Sequence, residues 1–153
     1  MTSSDDDPNA PLPRMSRADA QAWATHFTQS MARSAGVEIV KGTVKPEFND
    51  CIGAHDELMH DGRYTLIYRA EAPLTREKQG DAARRVMADL KKLGYRIDSF
   101  RDDDSVDPPV VLEARSPEKN FTIDVSGYKS PQVLDFTVMT PCLLPPGVKQ
   151  QKL

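Results

Sequence analysis

The sequence predicts an α+β domain in which a single antiparallel sheet of about five to six strands carries two helices on one face, in the order α-β-β-α-β-β-β-β. Three observations lead there. Two segments repeat apolar residues every three or four positions and then meet a glycine, the pattern of an amphipathic helix with a left-handed stop. Several segments alternate apolar and polar side chains, as a strand with one wet face does. The last four of these follow one another through short polar joints, which favours an antiparallel meander.

The first helix starts at Ser16, with Asp19 three residues on in the capping-box relation, and stops at Gly36. Ala20, Trp23, Ala24, Phe27 and Met31 form its core stripe. "VEIVKGTV" follows as a short strand, then an irregular segment over 45–63. The Asp61-Gly62 turn introduces the next strand, where Tyr64, Leu66, Tyr68 and Ala70 share one face and Thr65, Ile67, Arg69 and Glu71 the other. A second helix is expected after Pro73, with Thr75 as cap, Ala83, Val86, Met87, Leu90 and Leu93 as stripe, and Gly94 as stop. Its Arg84, Arg85, Lys91 and Lys92 read as a solvated face in which Asp81, Arg85 and Asp89 pair along the helix. Four strands complete the chain: "YRIDSFR", "VVLEARS", "NFTIDVSGY" and "QVLDFTVMT".

In 153 residues there is room for one domain, expected over 16–144, with 1–15 as a disordered tether and 145–153 as a flexible tail. The end segments are rich in Ser, Asp, Pro, Lys and Gln and hold too little apolar surface to offset their ordering entropy. A net charge of −3 argues against general nucleic-acid binding. No apolar run reaches the 18 residues that a membrane helix needs, and the first 15 residues lack the features of a signal peptide.

Candidate chemistry is sparse. "HDELMH" places His55 and His60 five residues apart, a rotation of about 140° on a helix, whereas zinc peptidases with a helical HExxH need a spacing of four. Asp56 and His60 keep the four-residue relation but lack a third ligand nearby, so the expectation is a solvated loop and no metal. The acids Asp102, Asp103, Asp104 and Asp107 lack the glycine and distal glutamate of a calcium loop. No glycine loop for phosphate and no nucleophile-base pair is present, so neither a cofactor nor a catalytic residue is assigned.

Cys51 precedes the second strand and Cys142 follows the last, where a bridge would pin loose chain to the sheet. A disulfide and an oxidising compartment are expected; two buried thiols in a cytosolic protein are the alternative.

The Ser/Asp-rich start, the tryptophan in the first helix, the cysteine before the second strand, "LGY" at the end of the second helix and "TPC" after the last strand occur together in this chain. This arrangement resembles the small extracytoplasmic lipoproteins of actinobacteria, over most of the chain. The resemblance implies a mature chain beginning at a lipid-modified cysteine, with Met1 standing in its place, and a domain tethered outside the cell. The function expected is a non-catalytic binding module of the cell envelope that meets a protein or small ligand and touches the membrane only through that anchor. Its contact surface is placed on an exposed sheet face, with Tyr64, Tyr68 and Tyr128, and the wetter-face residues Ile67 and Met139, as candidates. The alternatives are a metal-dependent hydrolase built on His55, His60 and nearby carboxylates, and an intracellular regulator binding an anion or nucleic acid through the second helix.

Overall fold

A computed structural model describes residues 9–53, 55–118 and 120–153. The order is α1 (Arg17–Ala35), β1 (Lys45–Asp50), β2 (Tyr64–Pro73), α2 (Arg76–Lys92), β3 (Arg96–Asp102), β4 (Val110–Arg115), β5 (Thr122–Lys129) and β6 (Gln132–Met139). The six strands form one antiparallel sheet in the order β1-β2-β6-β5-β4-β3. This is the α+β plan read from the sequence. The last four strands run as a meander, and β6 closes it against β2.

Alternation along the strands decides which face the helices cover. Tyr68 and Ala70 of β2 pair with Val138 and Phe136 of β6, and these with Ile123 and Val125 of β5, while Tyr64 and Leu66 continue the same face of β2 beside β1. With Leu112 and Ala114 of β4 they make the sheet side of the core. The helices supply Ala20, Ala24, Met31, Val86 and Leu90. Small alanines on both helices and on β2 bring the layers close, and Trp23 fills the remaining gap against Phe121, with ring centroids 4.6 Å apart. Gly127 is needed where Gln79 crosses the sheet: a Cβ there would meet Gln79 Oε1 at 2.4 Å. The Gln79 amide donates to the carbonyls of Leu74 and Tyr128, each at 2.9 Å, tying α2 to the β2–α2 joint and to β5.

Helix ends follow the sequence at three of four places. Ser16 Oγ accepts the Asp19 amide at 3.1 Å, and Gly36 and Gly94 turn the chain in the left-handed region. At the start of α2, Thr75 holds the cap position without a side-chain bond; Gln132 of the β5–β6 turn accepts the Arg76 amide instead, at 2.7 Å. Two further expectations on α2 are corrected. Leu93 is 62% exposed, because the helix ends at Lys92 and the chain turns away at Gly94. Arg85 does not pair along its own helix: it donates to the carbonyls of Ser34 and Ala35, capping the end of α1, while Asp89 accepts from the Ser34 hydroxyl.

The first strand also lies elsewhere than expected. After α1 closes with Val37 N–H donating to Ala32 O, residues 37–40 run beside the helix, and a 3-10 turn spans Lys41–Thr43. Strand β1 falls in the stretch read as irregular, because at a sheet edge only Pro46 and Phe48 need face inward and the apolar alternation is faint. The chain ends, expected as tether and tail, are bound to each other and to the body from residue 9 onward. Met15 N–H donates to Leu144 O, Leu144 N–H to Pro13 O, and Gln150 Nε2 to Ala10 O. The expected lipid-anchor position at Met1, with the rest of 1–8, lies outside the described residues.

Candidate functional site

Cys51 and Cys142 are joined as a disulfide, with Cα atoms 6.2 Å apart. The bridge crosses the first residues of β2, where Cys51 N–H bonds Arg63 O on one side and Tyr64 exchanges two backbone hydrogen bonds with Leu143 on the other. Beside it Asp61 and Arg63 form a buried pair, Nη2 to Oδ2 at 2.6 Å and Nε to Oδ1 at 2.9 Å. Gln151 completes it: its N–H donates to Asp61 and its carbonyl accepts from Arg63. The Arg63 guanidinium and these amides hold the Asp61 carboxyl far below the usual carboxylate range. The bridge, the ion pair and the tail make this pole rigid.

The other expected residues do not converge there on any chemistry. His55, Asp56 and His60 are exposed in the β1–β2 connection. Their order comes from backbone contacts, His55 N–H to Glu57 Oε2 and His60 N–H to Gln151 Oε1, each 2.7 Å. Among the described residues no three His, Cys, Asp or Glu side chains are grouped to hold a metal ion. Asp102 and Asp104 are taken up by Arg76, at 2.6 and 2.8 Å, and Asp102 also by Arg84. Arg84 and Arg85 are thus both engaged within the fold.

The three tyrosines part company, which corrects their assignment to one contact face. Tyr64 and Tyr68 are 0% and 3% exposed, on the side that the helices cover, because the periodicity that aligns them is that of the core. Tyr128 is half-buried on the opposite face, two residues along β5 from Ser126 and paired with Val133. That open face carries Ile67, the partly exposed Met139 and several acids. Burial raises the carboxyls of Asp124 and Asp135, the second helped by Glu71 and Asp124 nearby, and Asp135 Oδ1 has no hydrogen-bond partner among the described residues.

Tyr68 does reach a recess, from below. A cavity of about 330 Å³ opens between the second half of α1, the 37–44 segment and β2. The 37–44 segment is fixed against β2 by Val40 N–H to Glu71 O and by Thr43 Oγ1, which accepts the Glu71 amide, each at 2.9 Å. Val37, Ile39 and Val44 give it an apolar wall, Ala32 and Thr28 a helix wall, and the Tyr68 hydroxyl, bonded to Thr25 Oγ1 at 3.2 Å, a polar floor. Thr28 is 1% exposed, and among the described residues its Oγ1 has no partner, although a helical threonine can bond the carbonyl four residues back. Gln29, Arg33, Glu38 and Lys41 stand around the mouth. Sequence reasoning missed this site because its walls are apart in the chain. The available signals were a hydroxyl at 28 within the apolar stripe and an apolar "VEIV" that pairs with no strand.

Fold and recess together define a small α+β protein with a ligand-sized, apolar cleft beside its first helix. Against protein-family models, curated proteins and solved structures the chain has no match. No helix among the described residues is long and apolar enough to cross a membrane.

Proposed function

We propose that this protein is a non-catalytic binding module of the cell envelope, working outside the cytoplasm on a lipid anchor that precedes the folded domain. Its ligand occupies the cleft between α1, the 37–44 segment and Tyr68. The observation that carries the binding reading is the cavity of about 330 Å³ itself, with an apolar wall of Val37, Ile39 and Val44 and a floor of Tyr68 and Thr25. The cavity volume also falls within the range of small-molecule sites. The Cys51–Cys142 disulfide supports an oxidising compartment.

Two experiments test the proposal. Amide spectra of ¹⁵N-labelled protein titrated with a panel of small acids, alcohols and amines should shift at Thr28, Ala32, Tyr68 and residues 37–44. Thr28→Val should stabilise the free protein by about 1 kcal/mol, since it removes a buried hydroxyl that has no partner among the described residues. A panel with no effect on the cleft would remove the binding reading. In the native cells, detergent partition and labelling by a membrane-impermeant reagent test the anchor, and a soluble, unlabelled protein would remove it.

A further inference from the structure

Of the cavities and clusters outside the disulfide pole, the cleft beside α1 combines an apolar wall with side chains that the fold leaves unused. Arg33 and Lys41 both line it, one on the helix and one on the 3-10 turn, and both are exposed. Among the described residues neither side chain has an ion pair or a hydrogen bond, whereas Arg63, Arg76, Arg84 and Arg85 are all engaged. Glu38 is the acid among the lining residues, so the mouth carries a net positive charge on a chain whose net charge is −3. Below the mouth Val37, Ile39 and Val44 offer surface to an aliphatic chain. At roughly 30 Å³ for each water-sized atom, 330 Å³ accommodates about ten non-hydrogen atoms.

From this arrangement we infer that the cleft takes a small amphipathic anion, its oxyanion head between Arg33 and Lys41 and an aliphatic tail of about eight carbons against Val37, Ile39 and Val44. The inference rests on the cleft being the binding site, as proposed above, and adds the ligand's chemical class. The head faces solvent, so the two cations act as charge-assisted donors without being desolvated, and the tail supplies the apolar burial. A fatty acid and a phosphate-bearing lipid fragment share this chemistry.

Octanoate, octyl phosphate, octan-1-ol and octylamine, titrated into the full chain and followed by amide shifts, separate the possibilities. Octanoate or octyl phosphate should bind about tenfold more tightly than octanol, and the tighter of the two anions identifies a carboxylate or a phosphate source. The double variant Arg33→Met/Lys41→Met should weaken the anions about tenfold and leave octanol unchanged, and 0.5 M salt should act in the same direction. Equal binding of octanol and octanoate, or anion affinity retained by the double variant, overturns the anion inference while leaving the cleft as a binding site. If none of the four moves a cleft resonance, both readings fall.

Discussion

Breaking the Cys51–Cys142 bridge should destabilise the protein by a predictable amount. The cysteines are 91 residues apart, and closing a loop of that length in an unfolded chain removes roughly 15 cal/mol/K, or about 4.6 kcal/mol at 25 °C. The folded state loses little when the bond is cut. Tyr64 and Leu143 still exchange backbone hydrogen bonds of 2.9 and 2.7 Å, and Cys51 N–H still reaches Arg63 O, so the two segments stay in place. The effect therefore works through the unfolded chain, and realised values of this kind are typically 2–4 kcal/mol. For a protein of this size that corresponds to a melting point lower by roughly 5–15 °C. Urea unfolding of the oxidised protein, the reduced protein and Cys51→Ser/Cys142→Ser should show the loss together with a steeper urea dependence, because an uncrosslinked chain exposes more surface. A variant within 1 kcal/mol of the oxidised protein, with an unchanged slope, would refute the loop argument. Intact mass after alkylation, with and without reductant, verifies the bridge itself.

Other perturbations follow from single contacts. Asp61→Asn leaves the buried Arg63 charge without its partner and should cost about 3–5 kcal/mol in urea unfolding. The folded Asp61 carboxyl is depressed, so its contribution is complete above the ordinary aspartate value near ~4 and is lost as pH falls below that; the gap between wild type and Asp61→Asn should narrow on acidification. Asp135 has the opposite sign: its carboxyl is raised, so its ionised form is disfavoured in the fold at neutral pH. Asp135→Asn should raise the melting point at pH 7 by a few degrees, and the gain should shrink as the pH falls and be gone by about pH 4. Arg85→Met removes both side-chain hydrogen bonds to the last carbonyls of α1 and should cost about 1–2 kcal/mol, with faster amide exchange over residues 31–36.

How legible these features are in the sequence depends on how local their causes are. The helices are legible because Ser16, Gly36 and Gly94 act through neighbours in the chain, and their stripes record a single packed side. The last four strands are legible for the same reason, their alternation being set by one covered face. Strand β1 is not, since an edge strand with two inward residues leaves almost no periodic trace. The role of Arg85 is hidden because its acceptors are 50 residues away and belong to the backbone, which every residue possesses. The cysteines announced their pairing through position, each just outside a strand. Tyr64 and Tyr68 carried a correct message about the core, and their use as a contact face ignored it. The cleft, gathered from residues near 28, 40 and 68, had only Thr28 and the apolar "VEIV" to mark it.

Residues 9 and 153 lie side by side, with the Leu153 amide 2.8 Å from Asn9 Oδ1. Through Gln151 the same end segment reaches the Asp61–Arg63 pair, so both ends of the described chain belong to one pole of the molecule. Gln29 lies about 20 Å along α1 from Ser16 at 1.5 Å per residue, and Met15 beside Ser16 is held by Leu144. The joined ends and the recess therefore sit toward opposite ends of the first helix.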